Sequence, residues 1–121
     1  MIQINYRDPR PIYEQVKDGF RKLILSGVLP PDERMSSVRE LASGLAINPN
    51  TIQRAYRELE QEGYICSVPG KGSFVADASD AAFARRKELL VQLREVSAEL
   101  RRLGVDEEII VDCVKGGSDH D

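Results

Sequence analysis

The chain is poor in the residues on which most catalytic and metal sites depend. Its 121 residues include one histidine, two cysteines and no tryptophan. The histidine, His120, belongs to a polar tail that we expect to be solvated. Cys66 and Cys113 lie far apart without metal-ligand spacing, so we expect buried, reduced thiols. No glycine-rich phosphate loop precedes a helix in a βαβ setting. We therefore expect no enzyme, no metal and no cofactor.

Long apolar stretches are missing as well. No run of about 18 apolar residues occurs, which excludes a membrane-spanning helix. The opening residues, MIQINYRDPR, lack the apolar centre of a secretory signal, so we expect a cytoplasmic protein. With 41% hydrophobic and 31% charged residues, the composition is that of an ordinary soluble protein. The length suits one compact domain with an appendage.

Acidic residues outnumber basic ones by 20 to 17, and the excess of acid is unevenly placed along the chain. The formal net charge is −3, which by itself argues against a nucleic-acid partner. Residues 1–76 hold 10 basic and 9 acidic side chains, whereas residues 77–121 hold 7 basic and 11 acidic ones. The acid is thus concentrated in the C-terminal third. In the N-terminal part, the face that the arginines occupy matters more than their number.

Three helices are predicted in the N-terminal part. The first begins after Pro11, carries apolar residues at helical spacing and stops at Gly27. The second begins at Ser37, which forms a capping box with Glu40. The third runs from Pro49 to about residue 62, with Asn48 as its N-cap. Its inner face consists of Ile52, Ala55, Tyr56 and Leu59.

A hairpin and a helical C-terminal region follow. Residues 64–68 and 73–75 have strand-like composition around the loop Pro69-Gly70-Lys71-Gly72. Residues 76–80 are predicted to be a linker, and a long helix is expected from about Ala81 to Leu103. Asp106 can cap a last short helix. We predict a mainly α fold with a small β-hairpin: a winged helix-turn-helix domain (1–76) and a C-terminal helical dimerisation hairpin (77–121).

The third helix has a polar outer face opposite its apolar one. Its side chains are Asn50, Thr51, Gln53, Arg54, Arg57 and Gln61. Asparagine and glutamine suit adenine, and arginine suits guanine, so this face fits a DNA groove. A merely solvated helix face is the plain alternative. Arg39 lies in the first turn of the second helix, where the helix dipole disfavours a cation. A DNA phosphate would explain it, and a salt bridge is the other explanation.

The hairpin tip and the long helix each indicate a contact surface. Gly70 and Gly72 allow close backbone approach beside Lys71, which suits a phosphate or minor-groove contact. In the long helix, leucines and a valine recur at spacings of 4, 3, 4 and 3, as in a coiled-coil seam. This seam could pack on the N-terminal domain, but a second copy of the chain would also cover it. The candidate dimerisation residues are Leu89, Leu93, Val96, Leu100, Leu103, Ile109 and Ile110.

Three segments together resemble the GntR family of bacterial transcription regulators. They are PIYEQVKDGFRKLILSG (11–27), SSVRELASGLAINPNTIQRAYRELEQEGYI (36–65) and GKGSFV (70–75). The short C-terminal part resembles the YtrA subfamily, whose members carry two helices after the winged helix for dimerisation. Longer members of the family carry a separate effector-binding domain, for which this chain has no room.

The resemblance implies DNA-contacting roles for Arg39, Asn50, Thr51, Gln53, Arg54, Gly70, Lys71 and Gly72. Ser37, Asn48 and Arg57 complete the candidate DNA-binding set. The chain departs from the family pattern at Asp32 (usually glycine) and Ser36 (usually proline), where we expect a changed local turn. A further departure is Pro49, often arginine, which removes one possible base contact.

The favoured function is a sequence-specific DNA-binding regulator, a repressor that binds a near-palindromic operator in double-stranded DNA as a homodimer. A second hypothesis is a winged helix that binds another protein. A third is a dimer that senses a small molecule and has DNA binding as its output.

Overall fold

The computed structural model describes residues 2–116, and within them the chain forms five helices and one two-stranded antiparallel sheet. The elements are α1 (Ile12–Leu25), α2 (Val38–Leu45), α3 (Pro49–Gln61), β1 (Ile65–Val68), β2 (Gly72–Val75), α4 (Ser79–Arg102) and α5 (Glu107–Val114). This order confirms the predicted winged helix-turn-helix followed by a C-terminal helical pair. The chain divides into two compact units, the first ending at Ala82 and the second beginning at Phe83.

The first unit is built around the apolar faces of α1 and α3. Val16, Phe20 and Ile24 lie four residues apart on α1, and all three are buried. On α3, the predicted inner residues are likewise buried, with Ile52 and Leu59 at 0% exposure. The rings of Phe20 and Tyr56 meet edge to face, with centroids 5.8 Å apart. Burial of each such large side chain contributes about 1.5–3 kcal/mol to stability. The first unit therefore has a hydrophobic core of its own.

The hairpin is joined by a third extended segment. β1 pairs with β2 in antiparallel register, with Ile65 opposite Val75 and Val68 opposite Gly72. Residues 32–35 run along the other edge of β2. The Met35 N–H donates to the Ser73 carbonyl and the Val75 N–H to the Glu33 carbonyl, each at 2.8 Å. The hairpin is therefore tied to the segment that leads into α2.

The second unit contains most of α4 and all of α5. Gly104 has φ 88°, in the left-handed region, and lies in the turn between the two helices. Arg101 donates from Nε and Nη2 to the carboxylate of Glu107, with distances of 2.6 to 3.2 Å, and so bridges this turn. Few side chains are buried here: among the described residues of this unit they are Ser97 and Ile110.

Two expectations are wrong. Cys66 and Cys113 are free thiols as expected, but both are exposed rather than buried. Cys66 follows the buried Ile65 on β1, and since successive strand residues face opposite ways, its side chain faces outward. In addition, α4 begins at Ser79, inside the predicted linker. Just before it, the Asp77 Oδ1 accepts hydrogen bonds from both the N–H and the hydroxyl of Ser79, at 3.1 and 2.7 Å.

Candidate nucleic-acid interface

The start of α2 is fixed by the predicted capping box. The Glu40 N–H donates to the Ser37 hydroxyl at 3.0 Å, and the Ser37 N–H donates to the Glu40 carboxylate at 3.2 Å. Hydrogen bonding from the Ser37 side chain and, to a lesser extent, from its backbone N–H lowers the pKa of Glu40, with a smaller contribution from the nearby charge of Arg34. The Ser37 side chain is thus engaged in the cap. It orients the first turn of α2, on which Arg39 lies.

A tight turn sets α3 against α2. Ala46 adopts φ 56° at the end of α2, and the Ile47 N–H donates to the Ala42 carbonyl at 2.9 Å. Asn48 then caps α3, since its Oδ1 accepts the N–H of Asn50 at 2.8 Å. The Asn48 side chain is therefore engaged in the start of the helix, with Pro49 at the first helical position as predicted.

One buried tyrosine fixes the rotation of α3. The Tyr56 hydroxyl donates to the Ser36 carbonyl at 2.7 Å, immediately before α2. Burial, with a smaller contribution from the charge of Glu40, raises the pKa of Tyr56 to about 12, so the hydroxyl keeps its proton at neutral pH. Because this bond faces the core, the opposite side of α3 is turned to solvent.

The solvent side of α3 carries the predicted polar set. Asn50, Gln53 and Arg57 are exposed, whereas Thr51 is half-buried. Arg39 is exposed on α2, and within residues 2–116 it forms no ion pair. The salt bridge that could have explained Arg39 from sequence is thus not found in this part of the chain.

Arg54 differs from its neighbours because two side chains hold it. Its Nε donates to Glu58 at 3.2 Å, and its Nη2 donates to the Tyr13 hydroxyl at 3.1 Å. Its guanidinium carbon lies 3.7 Å from the centroid of the Tyr13 ring. The helical pattern predicts the outward position of Arg54 but not its contact with Tyr13 of α1.

The hairpin tip has the predicted geometry. Gly70 and Gly72 have φ values of 76° and 112°, in the region that disfavours other residues. The exposed Lys71 lies between them, and its N–H donates to the Val68 carbonyl at 2.9 Å. The tip is thus a closed turn that presents one cation.

Arg34 lies beside this tip and was missed in the sequence. A Cβ atom placed on Gly72 would lie 3.5 Å from the Arg34 Nε. Arg34 forms an antiparallel β-bridge with Phe74 on β2, although the two residues are 40 positions apart in the sequence. A local sequence pattern cannot predict a contact between such distant residues. The structure therefore brings Arg34, Gly72 and Lys71 into one exposed basic corner next to the start of α2.

The candidate dimerisation residues all lie in the second unit, and most are open to solvent. Exposed fractions are 46% for Leu89, 43% for Leu93, 56% for Val96, 74% for Leu103 and 49% for Ile109. Leu100 is half-buried, and Ile110 is buried at 6%. Ile110 therefore packs within its own unit, and the available apolar surface consists of the other residues.

Residues 2–116 contain neither a candidate metal site nor a membrane-spanning helix. No group of three or more histidine, cysteine, aspartate and glutamate side chains there could hold a metal ion. No helix in that range combines the length and apolarity that crossing a bilayer requires. His120 lies outside the described residues.

Comparison with known proteins gives matches along the whole chain. Residues 12–75 match the profile described as bacterial regulatory proteins, gntR family. The chain is 36% identical to the HTH-type transcriptional repressor YtrA of Bacillus subtilis (strain 168), with 100% of both chains covered. A transcriptional antiterminator from Listeria monocytogenes EGD-e has a similar structure (TM-score 0.82, 35% identity, covering 100% of this chain and 96% of that one). The AraR DNA-binding domain in complex with operator ORE1 is similar over 63% of this chain and 93% of that one (TM-score 0.54, 30% identity).

Proposed function

The chain belongs to the GntR family of DNA-binding transcription regulators, and we propose that it is a repressor that binds its operator as a homodimer. The Bacillus subtilis relative is named a transcriptional repressor, which supports the direction of regulation. A regulator of this kind acts on chromosomal DNA, so the proposal includes a cytoplasmic location. In this proposal residues 1–76 form the DNA-binding domain and residues 77–121 the dimerisation region.

The observation that carries the proposal is the fixed outward face of α3. Tyr56 and the Asn48 cap set the rotation and the start of this helix, while Asn50, Gln53 and Arg57 remain exposed. These side chains can hydrogen-bond to base edges in a major groove, which admits one helix. Thr51 is half-buried and fits a phosphate contact at the helix N-terminus.

The basic corner at the hairpin tip supplies the backbone contacts in this proposal. Lys71 and Arg34 are exposed, and Gly70 and Gly72 keep the tip free of bulk. Arg39 adds a third cation at the start of α2. Contacts of this kind fix the register of a protein on DNA without reading its sequence. We therefore assign phosphate binding to these cations and base reading to α3.

The homodimer is supported by the unpartnered apolar surface of the second unit. Valine and leucine side chains of α4 are exposed by 43% to 56%, and Leu103 by 74%. Exposed apolar surface of this extent marks an interface in soluble proteins. A twofold dimer presents two α3 helices, so the operator is expected to be near-palindromic, with half-sites about one helical turn or more apart.

Binding measurements with purified variants test the assignment. A duplex recovered by the wild-type protein from a randomised pool serves as the probe. Arg54 is also exposed on α3, and we assign it a contact with DNA. Changing Arg39 and Arg54 together to alanine should weaken binding at least tenfold, because a base contact by Arg54 is worth about 1–3 kcal/mol and the phosphate contact of Arg39 is lost as well. The slope of log affinity against log salt should also become shallower.

A matched control removes the same charge elsewhere. Arg86 and Arg102 are exposed on α4 in the second unit, and their joint change to alanine should alter affinity less than threefold, a difference of about 0.65 kcal/mol. Full affinity in the Arg39/Arg54 double variant would overturn the site assignment.

A second function, small-molecule sensing, is favoured by a groove in the second unit. The groove has a volume of about 520 Å³ and is lined by both apolar and charged side chains. The apolar ones include Leu93, Val111 and Val114. The charged ones are three cations, Arg94, Arg101 and Lys115, and one acid, Glu107, whose carboxylate accepts from Arg101. These features suit an amphipathic anion. A series of medium-chain carboxylates should raise the melting temperature and release DNA, whereas no shift at any chain length would remove this candidate.

A further inference from the structure

Arg54 is held by a clamp that links two helices. The clamp consists of Tyr13 in the first turn of α1 and Glu58 one turn further along α3. The Tyr13 ring lies under the guanidinium at 3.7 Å, its hydroxyl accepts from Nη2, and Glu58 accepts from Nε. Stacking and two hydrogen bonds together select one orientation of a side chain that is otherwise among the most flexible.

The clamp leaves free the part of the guanidinium that can recognise a nucleic acid. Arginine has five N–H donors, of which the clamp engages one on Nε and one on Nη2. Both Nη1 donors and the second Nη2 donor have no partner among residues 2–116. A guanine O6/N7 pair or a phosphate accepts two such parallel donors. Arg54 can therefore bind DNA without giving up either partner.

Both partners of Arg54 are themselves fixed. The Tyr13 hydroxyl donates to Glu14 at 3.2 Å, so its oxygen lone pairs are available to Arg54, and its ring packs against the core of the first unit. Glu58 is held by a second cation, because its other carboxylate oxygen accepts a hydrogen bond from the Lys17 Nζ at 3.0 Å. The bond from Lys17 is the main cause of the lowered pKa of Glu58, which keeps the carboxylate ionised at neutral pH.

We infer that Tyr13 is a positioning residue for DNA reading: from α1, it orders the Arg54 guanidinium in advance so that its free edge meets the DNA. The inference rests on the proposed contact between Arg54 and DNA. A side chain ordered before binding loses less conformational entropy in the complex, which raises affinity without any contact between the tyrosine and DNA. Tyr13 thus extends the reading site beyond α3.

A double-mutant cycle on the full chain tests this inference. The variants are Tyr13→Phe, Tyr13→Leu and Arg54→Ala, singly and combined, and the probe is the duplex recovered by the wild-type protein. Tyr13→Phe keeps the ring and removes only the hydroxyl, so it should weaken binding about two- to threefold. Tyr13→Leu also removes the stacking and should weaken binding about five- to tenfold. In the Arg54→Ala background, both changes should alter affinity less than about 1.5-fold.

Tyr6 provides the matched control, because it is 72% exposed on the same N-terminal segment, and Tyr6→Leu should leave affinity unchanged. If Tyr13→Leu does not fold, Tyr13→Phe carries the test alone. A loss in Arg54→Ala with fully additive Tyr13 effects overturns the positioning role and leaves the proposed function intact. No loss in Arg54→Ala overturns the proposed contact and this inference with it.

The base preference of the variants separates positioning from stability. Repeating the selection from the randomised pool with Tyr13→Phe should relax the preference at the same position as Arg54→Ala does, and at no other. A general loss of stability would lower affinity for all sequences alike. Relaxation at a different position, or at none, overturns the inference.

Discussion

The two compact units use apolar side chains in opposite ways. The first unit gathers twelve buried apolar residues from three helices, the hairpin and the segment before α2 into one core. Among the described residues of the second unit, Ile110 is the one large apolar side chain that is buried, while leucines and valines of α4 and α5 are exposed. A unit that closes its own core can fold by itself. A unit that leaves this surface open requires another surface to cover it.

The largest expected effect lies in the first unit. Changing the fully buried Ile52 to alanine should lower the free energy of unfolding by about 2–5 kcal/mol, because it leaves a cavity beneath α3. Urea unfolding followed by circular dichroism measures it. The control is Val28→Ala, which removes apolar atoms from a side chain that is 58% exposed in the same unit and should cost less than about 0.5 kcal/mol. Equal effects of the two changes would contradict the closed core.

In the second unit, a single charge should separate the two copies of the proposed dimer. Val96 is 56% exposed, and Val96→Glu should shift the protein from dimer to monomer in sedimentation equilibrium without unfolding the first unit. Operator affinity should fall more than about tenfold, because the second half-site no longer binds at high effective concentration. Gln92→Glu introduces the same group at an exposed polar position of α4 and should leave the dimer intact. If the Val96→Glu variant remained a dimer, the apolar seam of α4 would not be the dimer interface.

A smaller loss of stability is expected in the first unit from a change at the start of α2. Ser37→Ala removes the cap hydroxyl and should lower the free energy of unfolding by about 1 kcal/mol at neutral pH. The hydrogen bonds from Ser37 lower the pKa of Glu40 in the folded protein. Stability from this source is therefore present above the unfolded pKa of that carboxyl and lost as pH falls through the folded one.

The difference in the free energy of unfolding between the wild type and Ser37→Ala should accordingly become smaller at acidic pH. Unfolding by urea over a series of acidic and neutral pH values measures it. Ser26→Ala provides a control. Ser26 lies just after α1, its hydroxyl donates to the Leu23 carbonyl, and it pairs with no carboxylate among residues 2–116. A gap between wild type and Ser37→Ala that stays constant with pH would contradict the proposed link to Glu40.

Local signals account for the elements that sequence reasoning placed correctly. Ser37 with Glu40, Asn48 with Pro49, and the glycine pair around Lys71 each specify a helix start or a turn within a few residues. The core positions of α3 follow from the helical period alone. The fold was therefore readable without knowledge of any long-range contact.

What was missed depends on contacts between distant residues. Arg34 reaches the hairpin tip through pairing with β2, and Arg54 is held by Tyr13, 41 positions away. Gln15 is buried at 6% because it hydrogen-bonds the backbone of Asn5 and Arg10, a role its polarity conceals in the sequence. Periodicity describes one element at a time and carries no information on which distant segment lies beside it.

The most direct test of the central claim is the number of chains on one operator. Native mass spectrometry of the full chain with the selected duplex counts them. If the second unit joins two copies into a single reader, the complex contains two chains per duplex, and the half-occupied species stays minor throughout the titration. A complex with one chain per duplex at saturation would contradict the claim.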